Sequence, residues 1–117
     1  MAYLLLIVEP PQQRRTRTEA EGREAYASMR RFGAELQSRG LLRATESLTS
    51  QDAAARVEVR NGKAQVRDGP FAEAKEMIGG FFVLDCETRD EAVAIAAECP
   101  AAGWCTVEVR ELGPCYR

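Results

Sequence analysis

Two apolar runs, Tyr3 to Val8 and Ile78 to Leu84, stand out against shorter alternating and helical patterns along the chain. Uncharged runs of this length, bounded by turn signals, predict strands covered on both faces. The first ends at Glu9-Pro10-Pro11. The second reads as a strand from Met77 to Cys86, and its Gly79-Gly80 pair predicts a bulge or a close backbone approach. Residues 12 to 17 are polar, include three arginines and read as a loop. Thr18-Glu-Ala-Glu21 has capping-box spacing, and Ala25, Met29, Phe32 and Leu36 follow at helical steps, so one helix is predicted from about 19 to 38 with Gly40 as its stop.

Leu41 to Leu48 is a short strand of mixed polarity, followed by a polar turn around Thr49-Ser-Gln-Asp52. Arg56-Val-Glu-Val-Arg60 and Lys63-Ala-Gln-Val-Arg67 flank Asn61-Gly62, the signature of a hairpin with a type I′ turn. The two-residue loop sets the register: Arg60 with Lys63, Val59 with Ala64, Glu58 with Gln65, Val57 with Val66 and Arg56 with Arg67. One face of the hairpin is then apolar and the other charged. A second capping box, Thr88-Arg-Asp-Glu91, opens a helix from about 89 to 98, with Val93, Ala96 and Ala97 on one stripe and Pro100 beyond its end. Trp104 to Arg110 alternates, with Cys105, Val107 and Val109 on one side and Thr106, Glu108 and Arg110 on the other.

With the hairpin treated as an insertion, the order is βαββαβ. That order predicts an α+β, ferredoxin-like sandwich with two helices on one face of an antiparallel sheet. The doubly apolar runs fall on the two central strands and the alternating run on an edge, as that topology requires. Two helices cover only one sheet face, so the apolar side chains on the other need a second cover. A second copy of the chain, sheet against sheet, is the expected partner in a homodimer.

Composition narrows the function further. A chain of 117 residues, 45% hydrophobic, predicts a single domain over residues 1–117. Sixteen basic and eighteen acidic residues are interspersed, which argues against a nucleic-acid footprint. The apolar start lacks a basic leader and is too short for a signal peptide or a membrane span, so a cytoplasmic protein without membrane partners is expected. Cys86, Cys99, Cys105 and Cys115 contain no Cys-x-x-Cys pair and are expected as reduced packing residues. Histidine is absent, which removes imidazole bases, Ser-His and Cys-His pairs and the usual catalytic zinc sites. No dinucleotide fingerprint, P-loop or clustered metal ligands occur, so no cofactor and no metal are expected.

Several blocks together resemble the YCII-related proteins of the DGPF type: Tyr3-Leu-Leu-Leu-Ile7, Gly62-Lys63, Asp68-Gly-Pro-Phe-Ala-Glu73 with Lys75-Glu76, Gly79-Gly80-Phe81, Asp90-Glu-Ala92 and Val107-Glu-Val-Arg110. The resemblance spans essentially the whole chain. It implies a dimeric α/β barrel in which two ferredoxin-like sheets face each other and leave a pocket in each subunit. It also implies a gene setting beside sigma factors of the extracytoplasmic-function type. In the wider group a histidine with an acidic partner has been proposed as the active site. This chain has no histidine, so that mechanism does not carry over.

Candidate chemistry therefore rests on carboxylates and their neighbours. Asp68 before a rigid Gly-Pro turn is either a carboxylate aimed into a pocket or a loop cap. Glu73 and Lys75, with Glu76, supply an acid, a base and an electrostatic partner, or else form a solvated charged loop. Phe71 is a pocket wall or a loop anchor. Arg56 and Arg67, opposed across the hairpin, form an anion clamp or an ordinary exposed pair with Glu58 as a diagonal partner. Glu108 and Arg110 face the inter-sheet space if Val107 and Val109 face the helices. Tyr26 lies one residue off the helix's apolar stripe, at core or rim. These residues suit a small-molecule pocket with carboxylate-based proton transfer, as in an isomerase or lyase. The alternative is a non-enzymatic regulatory module acting with a sigma factor.

Overall fold

The computed structural model describes residues 2–117. Strand β1 (Ala2–Glu9) is followed by a short helix α1 (Gln12–Thr16), the long helix α2 (Glu19–Ser38) and strand β2 (Leu42–Ser47). A 3-10 turn over Gln51–Ala53 leads into the hairpin strands β3 (Ala55–Arg60) and β4 (Lys63–Asp68). Strand β5 (Met77–Asp85), helix α3 (Arg89–Glu98), a 3-10 turn over Pro100–Gly103 and strand β6 (Thr106–Glu111) complete the chain. The main sheet has the order β2-β5-β1-β6, and all its pairings are antiparallel. This is the ferredoxin-like arrangement, with the two apolar runs as the central strands.

Local chemistry accounts for the element ends. The Thr18 hydroxyl accepts from the Glu21 amide, and the Glu21 carboxylate accepts from the Thr18 amide, completing a capping box at α2. At α3 the box is only half closed. Thr88 Oγ1 accepts from the Glu91 amide, but the Glu91 carboxylate takes the Glu87 N–H instead. Residues 12 to 16, expected as loop, are helical because Pro10-Pro11 presets the entry: Pro11 has φ −58°, and the Gln13 N–H donates to the Pro10 carbonyl. A five-residue helix is too short to show an apolar stripe.

Strand alternation sends Tyr3, Leu5 and Ile7 of β1, and Phe82 and Leu84 of β5, toward the helices. There they meet Phe32 and Leu36 of α2 and Ala92, Ile95 and Ala96 of α3. Phe32 and Phe82 pack edge to face with centroids 5.2 Å apart. Leu5, Leu36 and Leu84 are fully buried, each contributing about 1.5–3 kcal/mol of apolar burial. The buried stripe of α3 is Ala92, Ile95 and Ala96 rather than Val93, Ala96 and Ala97; Val93 faces solvent. An alanine-rich helix has little contrast between its faces, so the docking partner settles its rotation. Cys86 and Cys99 join the core, Cys105 is half-buried, and Cys115 is exposed and takes no part in packing.

The other sheet face carries Leu4, Leu6 and Val8 opposite Val83, Phe81 and Ile78. Among the described residues no element lies over Leu4, Leu6, Phe81 and Val83 deeply enough to bury them. On β6, Val107 and Val109 join the core, so Glu108 and Arg110 lie on the open face opposite Leu6 and Leu4. The molecule is a slab of 46 × 41 × 19 Å. Its radius of gyration, 16.0 Å, exceeds the roughly 13 Å of a compact chain of this length. The hairpin accounts for the excess, since every residue of β3 and β4 is exposed. Its register is the expected one, and Asn61 and Gly62 at its tip both have positive φ.

Candidate functional site

Small residues on two facing walls leave a cleft between α2 and the sheet. Gly22, Ala25, Gly33 and Ala34 line it from the helix, and Gly79 and Gly80 from β5. Its volume is about 860 Å³. Its apolar lining includes Ile7 and Phe82 of the sheet, Met29 of α2, and Trp104. Its rim is polar: Glu9, Arg14 and Arg17 lie at one end, Tyr26 and Arg30 toward the other, and Glu19, Arg23, Glu46 and Ser47 also line it. A concave space that joins apolar surface to converging polar groups is the usual form of a small-molecule site.

Glu9 lines the cleft for a simple reason. The period of two that turns Tyr3, Leu5 and Ile7 inward turns Glu9 inward as well. Its side chain is only 5% exposed. Arg14, from α1, places Nε 2.5 Å from Glu9 Oε1. The contact is between charges, without an aligned N–H, and Oε1 is left sealed from solvent with no hydrogen-bond donor. Arg14 spends its other nitrogens on the sheet: Nη1 donates to the Leu48 carbonyl at 2.9 Å and Nη2 to that of Gly79 at 3.4 Å. Gly79 is the bulge residue of β5, and a Cβ there would come within 2.9 Å of both Glu9 and Arg14.

Next to this pair, Gln13 Nε2 donates to the Trp104 carbonyl at 2.6 Å, while Gln13 Oε1 is a second buried acceptor without a donor. Arg17 lies over the Trp104 ring at 5.5 Å. Burial, reinforced by the charge of Glu9, pushes the Cys105 thiol up to about 11, so it stays protonated near neutral pH. At the other end, Arg30 Nη1 is 3.4 Å from the Tyr26 hydroxyl. Hydrogen bonding to Arg30, and then to Ser47, lowers the phenol's pKa. Among the described residues no group of three or more His, Cys, Asp and Glu side chains is placed to hold a metal ion.

A second hollow of about 540 Å³ lies on the open sheet face, and it gathers four of the residues singled out in the sequence: Arg56, Phe71, Glu76 and Glu108. Asp68, Glu73 and Lys75 line neither hollow; all three are exposed. Asp68 ends β4. Phe71 is buried beneath Arg56, at 4.0 Å, and Arg67, at 5.2 Å. Glu73 meets both guanidiniums, at 3.5 Å from Arg56 and 2.6 Å from Arg67, so the arginine pair holds a carboxylate of its own chain. Its own backbone amide and then Arg67 hold the Glu73 carboxyl below the usual range. Glu108 pairs with Arg110 at 3.2 Å on the open face. Tyr26 alone of the singled-out residues reaches the helix-side cleft.

Fold and cleft together define a ferredoxin-like α+β domain with a small-molecule-sized space between its long helix and its sheet. The sequence model of the YCII-related domain matches residues 1–115, and the chain belongs to that family. An uncharacterized protein of Rhizobium meliloti (strain 1021) is 40% identical over 75 residues. The match covers 62% of this chain and 60% of that relative's length. Among the described residues no helix is long and apolar enough to cross a membrane.

Glu9 and Arg14 did not emerge from sequence reasoning. The signal for Glu9 was its phase with Tyr3, Leu5 and Ile7 at the end of an otherwise apolar strand. Arg14 carried no such signal, being one of three arginines in a stretch read as loop.

Proposed function

We propose that this protein binds a small organic molecule in the cleft between α2 and the sheet, and that the Glu9 carboxylate moves a proton there, as in an isomerase or lyase. One observation carries the proposal: a nearly fully buried carboxylate, ion-paired to Arg14, lines a cleft that has apolar side chains from both the helix and the sheet. A carboxylate lining such a cleft is placed to take a proton from a ligand O–H or acidic C–H. Taking a proton from one ligand atom and returning it to another balances without a co-reactant. The Asp68 to Glu76 loop then serves as an anchor for the hairpin.

Gly22→Phe provides the test. Gly22 lines the cleft, and a Cβ there meets nothing within 4 Å, so the ring should enter the cleft without strain. In a thermal-shift screen of small organic acids and alcohols, wild-type hits should be lost in Gly22→Phe. Turnover of any substrate found should vanish in Glu9→Gln and survive in Asp68→Asn. Hits unaffected by the filled cleft would remove it as the binding site.

The protein acts as a homodimer in this proposal, with a second copy covering Leu4, Leu6, Phe81 and Val83. The hollow beside Arg56, Phe71, Glu76 and Glu108 would then lie at the edge of the interface. A second reading, as a regulatory module for an extracytoplasmic-function sigma factor, draws on the hairpin. Val57, Val59 and Val66 form an apolar face there with more than half of each residue exposed. Co-purification with a purified sigma factor, lost in Val57→Lys/Val66→Lys, would favour it.

A further inference from the structure

The cleft has a chemical polarity that points to the class of molecule it takes. Its guanidiniums are not equally free. Arg14 is committed to Glu9, and Arg23 pairs with Glu19 at 2.6 Å. Arg30 leans on Tyr26. Arg17 makes no ion pair and no hydrogen bond among the described residues; it is held over Trp104 by its ring face alone. Stacking in this way leaves the edge of the guanidinium, with its forked N–H groups, open to a carboxylate. Glu21, whose carboxylate feels the charge of Arg17, is committed to the Thr18 amide. Arg17 lies over Trp104, and Gln13, the neighbour of Arg14, donates to the Trp104 carbonyl, so the free cation and the Glu9–Arg14 pair lie at the same end of the cleft.

We propose that the cleft binds a hydroxy acid with a ring-sized apolar body: Arg17 pairs with the ligand carboxylate, a ligand hydroxyl donates to Glu9, and the body lies on Ile7, Met29 and Phe82. This inference rests on the cleft being the ligand site. Each part of the ligand answers a separate feature of the protein. The anion satisfies the unpaired cation, the hydroxyl meets the carboxylate that lines the cleft, and the apolar body packs on the apolar lining. A simple apolar anion would bring no hydroxyl to Glu9, and an apolar alcohol would leave Arg17 unpaired.

Mandelate carries all three features. Phenylacetate lacks the hydroxyl, and 1-phenylethane-1,2-diol replaces the carboxylate with a neutral group. Titration calorimetry with the full chain should give mandelate the tightest binding, with phenylacetate about tenfold weaker and the diol at least about tenfold weaker. Arg17→Gln should weaken mandelate by about tenfold and leave the diol unchanged. The exposed ion pair Arg31–Glu24 lies outside the cleft, so Arg31→Gln serves as a charge-matched control and should bind mandelate as wild type does. Equal affinities for mandelate and the diol, or an unaltered Arg17→Gln, would overturn the anion inference while leaving the cleft as a binding site. Binding of none of the three probes would overturn both. Binding that persists in Gly22→Phe would also overturn both.

Discussion

Arg14 joins three strands at one point, through the Glu9 carboxylate of β1, the Leu48 carbonyl just past β2 and the Gly79 carbonyl of β5. Removing one partner of a buried ion pair costs about 3–5 kcal/mol, because the remaining charge is stranded. Here the arginine side chain is 31% exposed, so solvent reaches its end and the cost is smaller. Arg14→Met is expected to lose roughly 2 kcal/mol, or about 8 °C in Tm by calorimetry. Adding Glu9→Gln to Arg14→Met should recover part of that loss, since no charge is then left buried. Gly79→Ala should also destabilise, by about 1–2 kcal/mol, because its methyl group would displace the same two side chains. If Gly79→Ala were neutral in denaturant melts, the close packing of the pair against β5 would be refuted.

At the scale of the element, the hairpin behaves as an arm with a defined shoulder. An isolated two-stranded ribbon is marginal in water, so its order depends on its anchor. Phe71 enters beneath Arg56 and Arg67, Glu73 ties both arginines, and the Gly69 N–H donates to the Ala54 carbonyl at 2.8 Å. Gly69 itself packs so closely on the Gln51 carbonyl that no Cβ fits there. Phe71→Ala should therefore raise amide exchange across residues 55–68 while leaving the main sheet protected. The anchor should also depend on pH. Folding lowers the Glu73 pKa, so its contribution is complete above the ordinary carboxylate range and is lost as pH falls through the lowered folded value. Amide exchange in the hairpin, corrected for its intrinsic pH dependence, should rise on acidification in wild type. It should be insensitive to pH in Glu73→Gln.

For the whole molecule, the dominant fact is a two-layer slab 19 Å thick with one sheet face uncovered. Leu4, Leu6, Phe81 and Val83 form a continuous apolar strip across the two central strands, bordered by the Glu108–Arg110 pair on β6. Val83→Asp puts a charge at the centre of this strip and away from the helix-side core. In the proposed homodimer it should halve the mass seen by light scattering at micromolar concentration, with circular dichroism unchanged. A monomeric wild type under the same conditions would exclude the sheet-to-sheet dimer.

Much of this was legible in the chain itself. Alternation and helical spacing operate over a few residues, so they determined β1, α2, β5, the hairpin with its register, and the order of strands. The same alternation also assigned Glu108 and Arg110 to the open face. The α3 stripe was misassigned by one residue because an alanine-rich helix shows little contrast between its faces. Only tertiary structure could decide which charges meet. Glu73 reaching the Arg56/Arg67 pair, and Arg14 reaching Glu9 after the Pro10-Pro11 bend, depend on how distant or abruptly turned segments dock. Spacing along the chain does not encode those distances. The candidate site moved for the same reason, from the charged loop around Asp68 to Glu9. Whether a carboxylate is solvated or buried is set by the elements packed around it, and neither its identity nor its sequence neighbours can supply that.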